Sequence, residues 1–476
     1  MCGIAGVFLN NTNIAGESLR KMLILINHRG PEGSGIVTDE SKFFADNPFN
    51  LDDIKGSIGI GHNRLALVGK GVQPISNESG LLWIAHNGEI YNYEPLRREL
   101  RKKGHIFHTD MDSEVFLHLF EEGLDSIKMI NGDFATLILD IVDETIFAFR
   151  DPFGIRPLFY CKNDRGIFFA SERKALKPFC SAYNRILPGE YIIVSRDGIS
   201  SGIIEDSHKE TEINDEEKVI KDLKEFLIDS ILVRAYDSYG ILFSGGVDST
   251  IIAKISKDYN LDFEAITVGL SNSIDIKNAK EAAEELKIPL KVYEFSEKHM
   301  LNIASFLPRV IDEFDVMKIM IGVPIFIASR FAKELGFKVL MTGQGADELF
   351  GGYHKYLRLS NPEEEMMKDF RNLYLKNLER DDHCAMFNSV EVRFPYLDKR
   401  IVSLALSIPL SMKIKHSIRK YILRKLALQL GIPKKIALRE KKAIQYGTKT
   451  AEVIKKKARR MKISAREFLE WLSLNA

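Results

Sequence analysis

Short runs rich in apolar and β-branched residues, bounded by turn residues, predict strands over 3–9, 58–67, 81–86, 134–141, 145–150, 158–161 and 166–170. Apolar positions at helical spacing predict helices over 17–27, 93–103 and 113–122. Asp143-Glu144 and Asn163-Asp164-Arg165-Gly166 predict hairpin turns. The first 195 residues or so are therefore expected to be β-rich. Between Ser195 and Glu216 the chain turns polar, and a linker is expected over 201–216. Beyond it the pattern changes. Strands are predicted at 241–243, 263–268, 290–295 and 339–341, with amphipathic helices between them. That alternation predicts an open parallel sheet with ligands at the carboxyl ends of its strands. The expected organisation is a first domain over 1–200 and an α/β domain over 217–476, making the chain α/β overall. Lys455-Lys456-Lys457-Ala458-Arg459-Arg460 predicts a basic, solvated helix face.

A chain of 476 residues exceeds one ordinary core, which agrees with two domains. An apolar content of 45% and a charged content of 28% fit a globular protein. The formal charge of +1 gives no electrostatic case for a nucleic-acid or membrane partner. No apolar run approaches membrane-spanning length, and residues 1–10 lack the pattern of a secretory signal. Cys2, Cys161, Cys180 and Cys384 form no CxxC pair, so free thiols and a cytoplasmic location are expected.

The chemistry concentrates in two places. Ser244-Gly245-Gly246-Val247-Asp248-Ser249-Thr250 follows a predicted strand and opens a predicted helix. Free backbone N–H groups and the helix dipole make such a turn an anion site, and the hydroxyls add donors. Asp248 would repel a phosphate unless a cation sat between them, which implies Mg²⁺. No lysine follows the glycines, so this is not a GxxxxGK[ST] loop. The run resembles the pyrophosphate loop of ATP pyrophosphatases.

The second place is Cys2. Removal of Met1 would give the cysteine a free α-amine able to act as its general base. Taken alone, Cys2 is equally a small buried residue at the start of a strand. A set of further matches decides between them: His28-Arg29-Gly30-Pro31, Gly61-His62-Asn63-Arg64-Leu65, Gln73-Pro74, Asn87-Gly88-Glu89, Thr109-Asp110-Met111-Asp112-Ser113-Glu114, Arg150-Asp151-Pro152-Phe153-Gly154 and Ala170-Ser171-Glu172. This set resembles the glutaminase domain of the class II, N-terminal-nucleophile glutamine amidotransferases. The resemblance implies an α+β domain of αββα layers. It implies that Cys2 attacks glutamine, that Asn87 and Gly88 hold the oxyanion, and that Arg64, Leu65, Glu89 and Asp112 bind the substrate. Glu32 departs from the aspartate usual after Arg-Gly-Pro and is expected to change loop packing more than chemistry.

A glutaminase followed by an adenylating loop makes an amide from a carboxylate. In this order the whole chain resembles the glutamine-hydrolysing asparagine synthetase family. The resemblance adds Thr342-Gly343-Gln344-Gly345-Ala346-Asp347-Glu348, the stretch from Arg380 to Asp398, Ser417-Ile418-Arg419-Lys420 and Arg439-Glu440-Lys441-Lys442. It implies ATP contacts from Leu242, Ser244, Gly245, Gly246, Asp248, Ser249, Val268 and Gly343, with Asp275 close by. It further implies Mg²⁺ on Asp248 and Asp347, and Lys441 stabilising charge on the phosphates. Gln344 departs from the family, standing where a glutamate helps deprotonate ammonia. Glutamine cannot accept that proton at neutral pH, so the role is lost or moves, with Glu348 as the candidate.

The implied substrates are glutamine, aspartate and ATP. Ammonia made at Cys2 would attack a β-aspartyl-adenylate. The same architecture acting on another carboxylate is the alternative. A homodimer is compatible with the resemblance.

Overall fold

The computed structural model describes residues 2–10, 12–204, 212–440 and 442–475. The chain divides into two compact units, Met1–Asp206 and Ser207–Ala476.

In the first unit, β1 (Gly3–Leu9), β2 (Ser34–Thr38), β3 (Lys42–Ala45), β4 (Ile58–Asn63), β5 (Ile75–Ser76), β6 (Leu82–Ile90), β7 (Gly132–Asp140), β8 (Thr145–Arg150), β9 (Phe159–Asn163), β10 (Gly166–Ala170), β11 (Asn184–Arg185), β12 (Glu190–Ser195) and β13 (Gly198–Ile203) build two sheets. Their orders are β11-β9-β10-β1-β4-β2-β3 and β13-β12-β8-β7-β6-β5. All pairings are antiparallel.

The period of two along β1 sorts its side chains between two cores. Ile4 and Phe8 join Ala85, Leu137, Ala148 and Ile192 between the sheets. Ala5, Val7 and Leu9 join Leu19, Met22 and Leu23 of helix α1 (Ala15–Leu25) on the outer face. The other sheet packs Ile84, Phe134 and Phe149 against α2 (Tyr93–Lys102) and α3 (Ser113–Glu121) through Leu96, Leu100 and Phe116. The layers therefore run αββα.

Three differences from the sequence reading have local causes. The strand expected over 58–67 stops at Asn63, and beyond it the Arg64 backbone bonds to Gly33 and Glu32 in the turn before β2. β13 falls inside the stretch expected to be polar linker. Its exposed Gly-Ile-Ser-Ser-Gly-Ile edge has no buried face to reveal it, yet it pairs with β12 through six residues. Residues 205–211 of that stretch lie outside the described residues. Finally, Cys161 and Cys180 are not free. The turn after α4 (Arg173–Leu176) folds back over β9, brings their Cα atoms to 6.3 Å, and a disulfide joins them. Cys2 and Cys384 are buried and not disulfide-bonded.

In the second unit, α5 (Glu216–Arg234) starts on an Asp215 cap. The strands β14 (Tyr239–Leu242), β15 (Phe263–Gly269), β16 (Leu290–Glu294), β17 (Val339–Met341) and β18 (Glu391–Arg393) form a parallel sheet of order β16-β15-β14-β17-β18. The intervening helices are α6 (Val247–Asp258), α7 (Ile274–Leu286), α8 (Glu297–Val310), α9 (Val316–Glu334), α10 (Ala346–Phe350), α11 (Pro362–Arg371) and α12 (Glu379–Met386). Strand order reverses between β14 and β17, and such a switch point opens a crevice at the carboxyl ends. Among the described residues, no helix is long and apolar enough to cross a membrane.

Candidate active site

Cys2 sits at the start of the central strand of its sheet, 7% exposed. Its main-chain nitrogen donates to Asn87 Oδ1 of β6, in the other sheet, at 3.0 Å. Asn87 Nδ2 is buried and has no hydrogen-bond partner. The neighbouring Gly88 is pressed so closely on the Asp133 carbonyl that any side chain would collide with it.

Behind Cys2 lies a buried ion pair. Arg29 Nε donates to the Cys2 carbonyl at 3.1 Å and Nη1 to Glu172 Oε1 at 2.8 Å, with both side chains fully buried. His28 Nε2 lies 3.0 Å from Glu172 Oε1, and Lys174 Nζ lies 2.7 Å from Oε2. The adjoining Ser171 hydroxyl accepts from the Ile4 N–H at 3.0 Å. The sequence marks these residues as part of a motif without revealing that they form the seat of Cys2.

The segment after Arg29 links this seat to Arg64. The Glu32 N–H donates to the Arg64 carbonyl at 2.9 Å, and the Glu32 carboxylate accepts from Ala66 N–H at 2.8 Å. Arg64 is half-buried and donates to the carbonyls of Gly69, at 2.7 Å, and Gly71. That loop packs on Asp110 and Met111. Asp112 is buried and accepts from the Ile90 N–H at 2.8 Å, next to the buried Glu89. Glu114 organises the approach to Asp112 by accepting from the backbone of His108 and Thr109 and the Thr109 hydroxyl, at 2.6 to 2.8 Å. Leu65 is buried.

In the second unit a cavity of about 300 Å³ opens at the carboxyl ends of β14 and β17. Leu242, Ser244, Gly246, Asp248, Ser249 and Gly343 line it, with Asp275, Gln344 and Asp347. Gly245 turns the loop at φ +67°, where a side chain would strike the Asn278 carbonyl. The loop is braced by the Ser249 hydroxyl, which donates to Gly246 O at 3.3 Å, and by Arg439 Nη1 on Gly245 O at 2.8 Å. Val268 is buried in β15 and Thr250 in α6, neither on the cavity wall.

Asp248 and Asp347 come together around a cation that the chain itself supplies. Lys420, 1% exposed, places Nζ 2.7 Å from Asp347 Oδ1 and in contact with Asp248 Oδ2. Burial pulls its pKa below the ordinary lysine value, against the attraction of Asp248. Lys420 holds φ +55°, a left-handed conformation costing on the order of 1–3 kcal/mol outside glycine. Asp248 Oδ1 is buried and has no hydrogen-bond partner.

Glu348 is buried and does not line the cavity. It accepts from the Tyr353 hydroxyl at 2.6 Å and from Asn377 Nδ2 at 3.2 Å, and Tyr353 does line the cavity. Burial raises the Glu348 pKa. Arg380 and Asp381 of α12 also line it, as a buried pair with Nη2 to Oδ1 at 2.6 Å. Lys441 lies outside the described residues, while Arg439, Glu440, Lys442 and Gln445 form cavity wall. The basic run sits in helix Thr450–Arg460, whose Val453, Ile454 and Ala458 are buried.

Residues 1–190 match the glutamine amidotransferase domain family, so the class is a glutamine amidotransferase extended by a second unit. Residues 222–364 and 359–469 match the asparagine synthase family. A Methanocaldococcus jannaschii protein provisionally named asparagine synthetase (glutamine-hydrolyzing) 1 is 37% identical, covering 100% of this chain and 98% of that one. Asparagine synthetase B (glutamine-hydrolyzing) of Escherichia coli K12 is 31% identical over 94% of this chain and 82% of its own length. The asparagine synthetase (glutamine-hydrolyzing) of Zea mays is 30% identical over 89% and 74%. The chain belongs to the asparagine synthase family.

Proposed function

We propose that the chain makes asparagine from aspartate by ATP-dependent amidation, with glutamine as the nitrogen donor. The observation that carries this reading is the contact between Cys2 and Asn87. It leaves a buried amide donor unspent beside a buried thiol.

In the first unit the Cys2 thiolate attacks the side-chain amide of glutamine, and the α-amine freed by loss of Met1 takes the thiol proton. Asn87 Nδ2 and the Gly88 N–H hold the oxyanion of the tetrahedral intermediate. Collapse to a thioester returns the proton to the leaving ammonia, and water then releases glutamate. Arg64 suits the α-carboxylate of glutamine as a planar fork. Asp112 and Glu89 suit its α-ammonium, and Leu65 bounds the pocket.

In the second unit the turn from Ser244 to Ser249 receives the pyrophosphate end of ATP at the start of α6. Leu242 and Gly343 contribute to the nucleotide side. The donor set fits Mg²⁺: Asp248 Oδ1 is a buried, unpartnered carboxylate oxygen next to Asp347, and the ion would neutralise charge on the departing pyrophosphate. Lys420 keeps positive charge between the two carboxylates, and Lys441 is assigned the same task towards the phosphates. At the far wall, Arg380 and Asp381 match the α-carboxylate and α-ammonium of aspartate. Gln344 orients the aspartyl group by hydrogen bonding. The proton lost by attacking ammonia passes to Glu348 through the Tyr353 hydroxyl, which gives its own proton to the carboxylate.

The test is a product assay by mass spectrometry with aspartate, glutamine and ATP. Asparagine, glutamate, AMP and pyrophosphate are expected in equal amounts. AMP release with another carboxylate and no asparagine would move the reading to a different acceptor.

A further inference from the structure

Away from both sites, three segments of the first unit converge on a group of metal-type donors. Glu78 follows β5, His105 follows α2, and His118 and Glu121 lie one turn apart on α3. Their ligand atoms all lie within 4.8 Å of one another. We propose that Glu78, His105, His118 and Glu121 form a binding site for a divalent transition-metal ion, Zn²⁺ fitting best.

The spacing carries the proposal. Bonds of about 2.0–2.1 Å in a tetrahedral zinc site put neighbouring donors about 3.3–3.4 Å apart. His105 Nδ1 lies 3.5 Å from Glu78 Oε1 and 3.7 Å from Glu121 Oε2. His118 Nδ1 lies 3.6 Å from Glu78 Oε2 and 2.9 Å from Glu121 Oε2. Small side-chain shifts bring these atoms to tetrahedral edges. Both imidazoles present the same nitrogen, Nδ1, to the centre.

The groups behind the donors are those that metal sites use to orient ligands. His105 Nε2 meets Glu122 Oε1 at 3.1 Å, and Lys103 holds the other oxygen of Glu122. His118 is fully buried, and its Nε2 makes no hydrogen bond, facing Glu114 Oε1 at 3.8 Å. Asn77 Nδ2 donates to Glu121 Oε1 at 2.8 Å, which leaves Oε2 for the centre. The Ile106 N–H donates to Glu78 Oε1 at 3.0 Å and steadies the carboxylate, whose two oxygens face His105 and His118. Phe107 packs edge-on against the His118 ring at 4.4 Å and closes one side to water. Two imidazoles and two carboxylates are a donor set whose charge, once metal is bound, would match a dication. The ion would tie the start of β6 and the end of α2 to α3, the helix that begins beside Asp112.

The test uses the full chain, treated with a chelator and dialysed, then titrated with Zn²⁺ alone by calorimetry and with Co²⁺ by visible absorption. One equivalent of Zn²⁺ is expected per chain, with the intense visible bands of tetrahedral Co²⁺ and a raised melting temperature. His105→Ala should weaken binding more than 100-fold. Glu122→Gln, which leaves all four ligands in place, should weaken it about 10–100-fold. Absence of saturable binding to the parent protein, or equal binding by His105→Ala, overturns the proposal.

Discussion

Asn87 meets Cys2 through Oδ1, 3.0 Å from the Cys2 nitrogen, and this fixes Nδ2 as the atom without a partner. The two halves of the amide therefore have separable tasks. Asn87→Asp keeps an acceptor for Cys2 and removes the Nδ2 donor. Its glutamine hydrolysis should fall by about 10²–10³ in kcat, the usual cost of one oxyanion donor. Steady-state glutaminase assays check this, and a change of less than threefold would remove Asn87 from the oxyanion site.

The Arg29–Glu172 pair supports Cys2 from behind. Because both side chains are fully buried, removing the carboxylate takes a charge partner from Arg29, at a cost on the order of 3–5 kcal/mol. Glu172→Gln should lower the unfolding free energy by that order and slow glutamine hydrolysis, since Arg29 also holds the Cys2 carbonyl. Denaturant unfolding with parallel kinetics measures both effects.

Lys420 predicts a defect confined to the other reaction. Lys420→Met leaves Asp248 and Asp347 facing each other without the ammonium between them. Ammonium-dependent asparagine formation should collapse, and hydrolysis of glutamine by the first unit should persist. Adding Mg²⁺ should raise the melting temperature of the variant more than that of the parent, because the Lys420 ammonium no longer sits between the two carboxylates.

His62 makes a pH prediction. Burial, opposed by its hydrogen bond to the His86 carbonyl, lowers its pKa from 6.5 to about 3. The unfolded chain thus takes up a proton at a pH where the folded chain does not. The contribution of His62 to stability is complete above pH 6.5 and is lost as pH falls through the window from 6.5 to about 3, by up to about 1.4 kcal/mol per unit. Chemical shifts of ¹³C-labelled histidine should show one ring that stays neutral at pH 5. Titration of that ring near 6.5 would contradict the assignment.

What the sequence reveals follows from where the signal resides. β1 and β8 match their predicted spans because apolar residues fill both and turn residues bound them. β13 is missed because its edge buries nothing. Asp248 demands a cation from local chemistry alone, but Lys420 lies 172 residues away and only the fold brings it there. The pairing of Cys161 with Cys180 has the same origin: a spacing of 19 residues carries no signal until α4 folds over β9. Gln344 is legible as a departure, whereas the Tyr353–Glu348 contact proposed to answer it needs a buried carboxylate beside a cavity-lining hydroxyl.

The central claim is that one chain makes ammonia at Cys2 and uses it at a separate adenylating site. Asparagine formation by Cys2→Ala, measured with glutamine and then with ammonium as nitrogen source, tests it most directly. The account predicts loss of glutamine-dependent synthesis by at least about a thousandfold, with ammonium-dependent synthesis close to that of the parent. Equal retention of both activities, or equal loss of both, would contradict it.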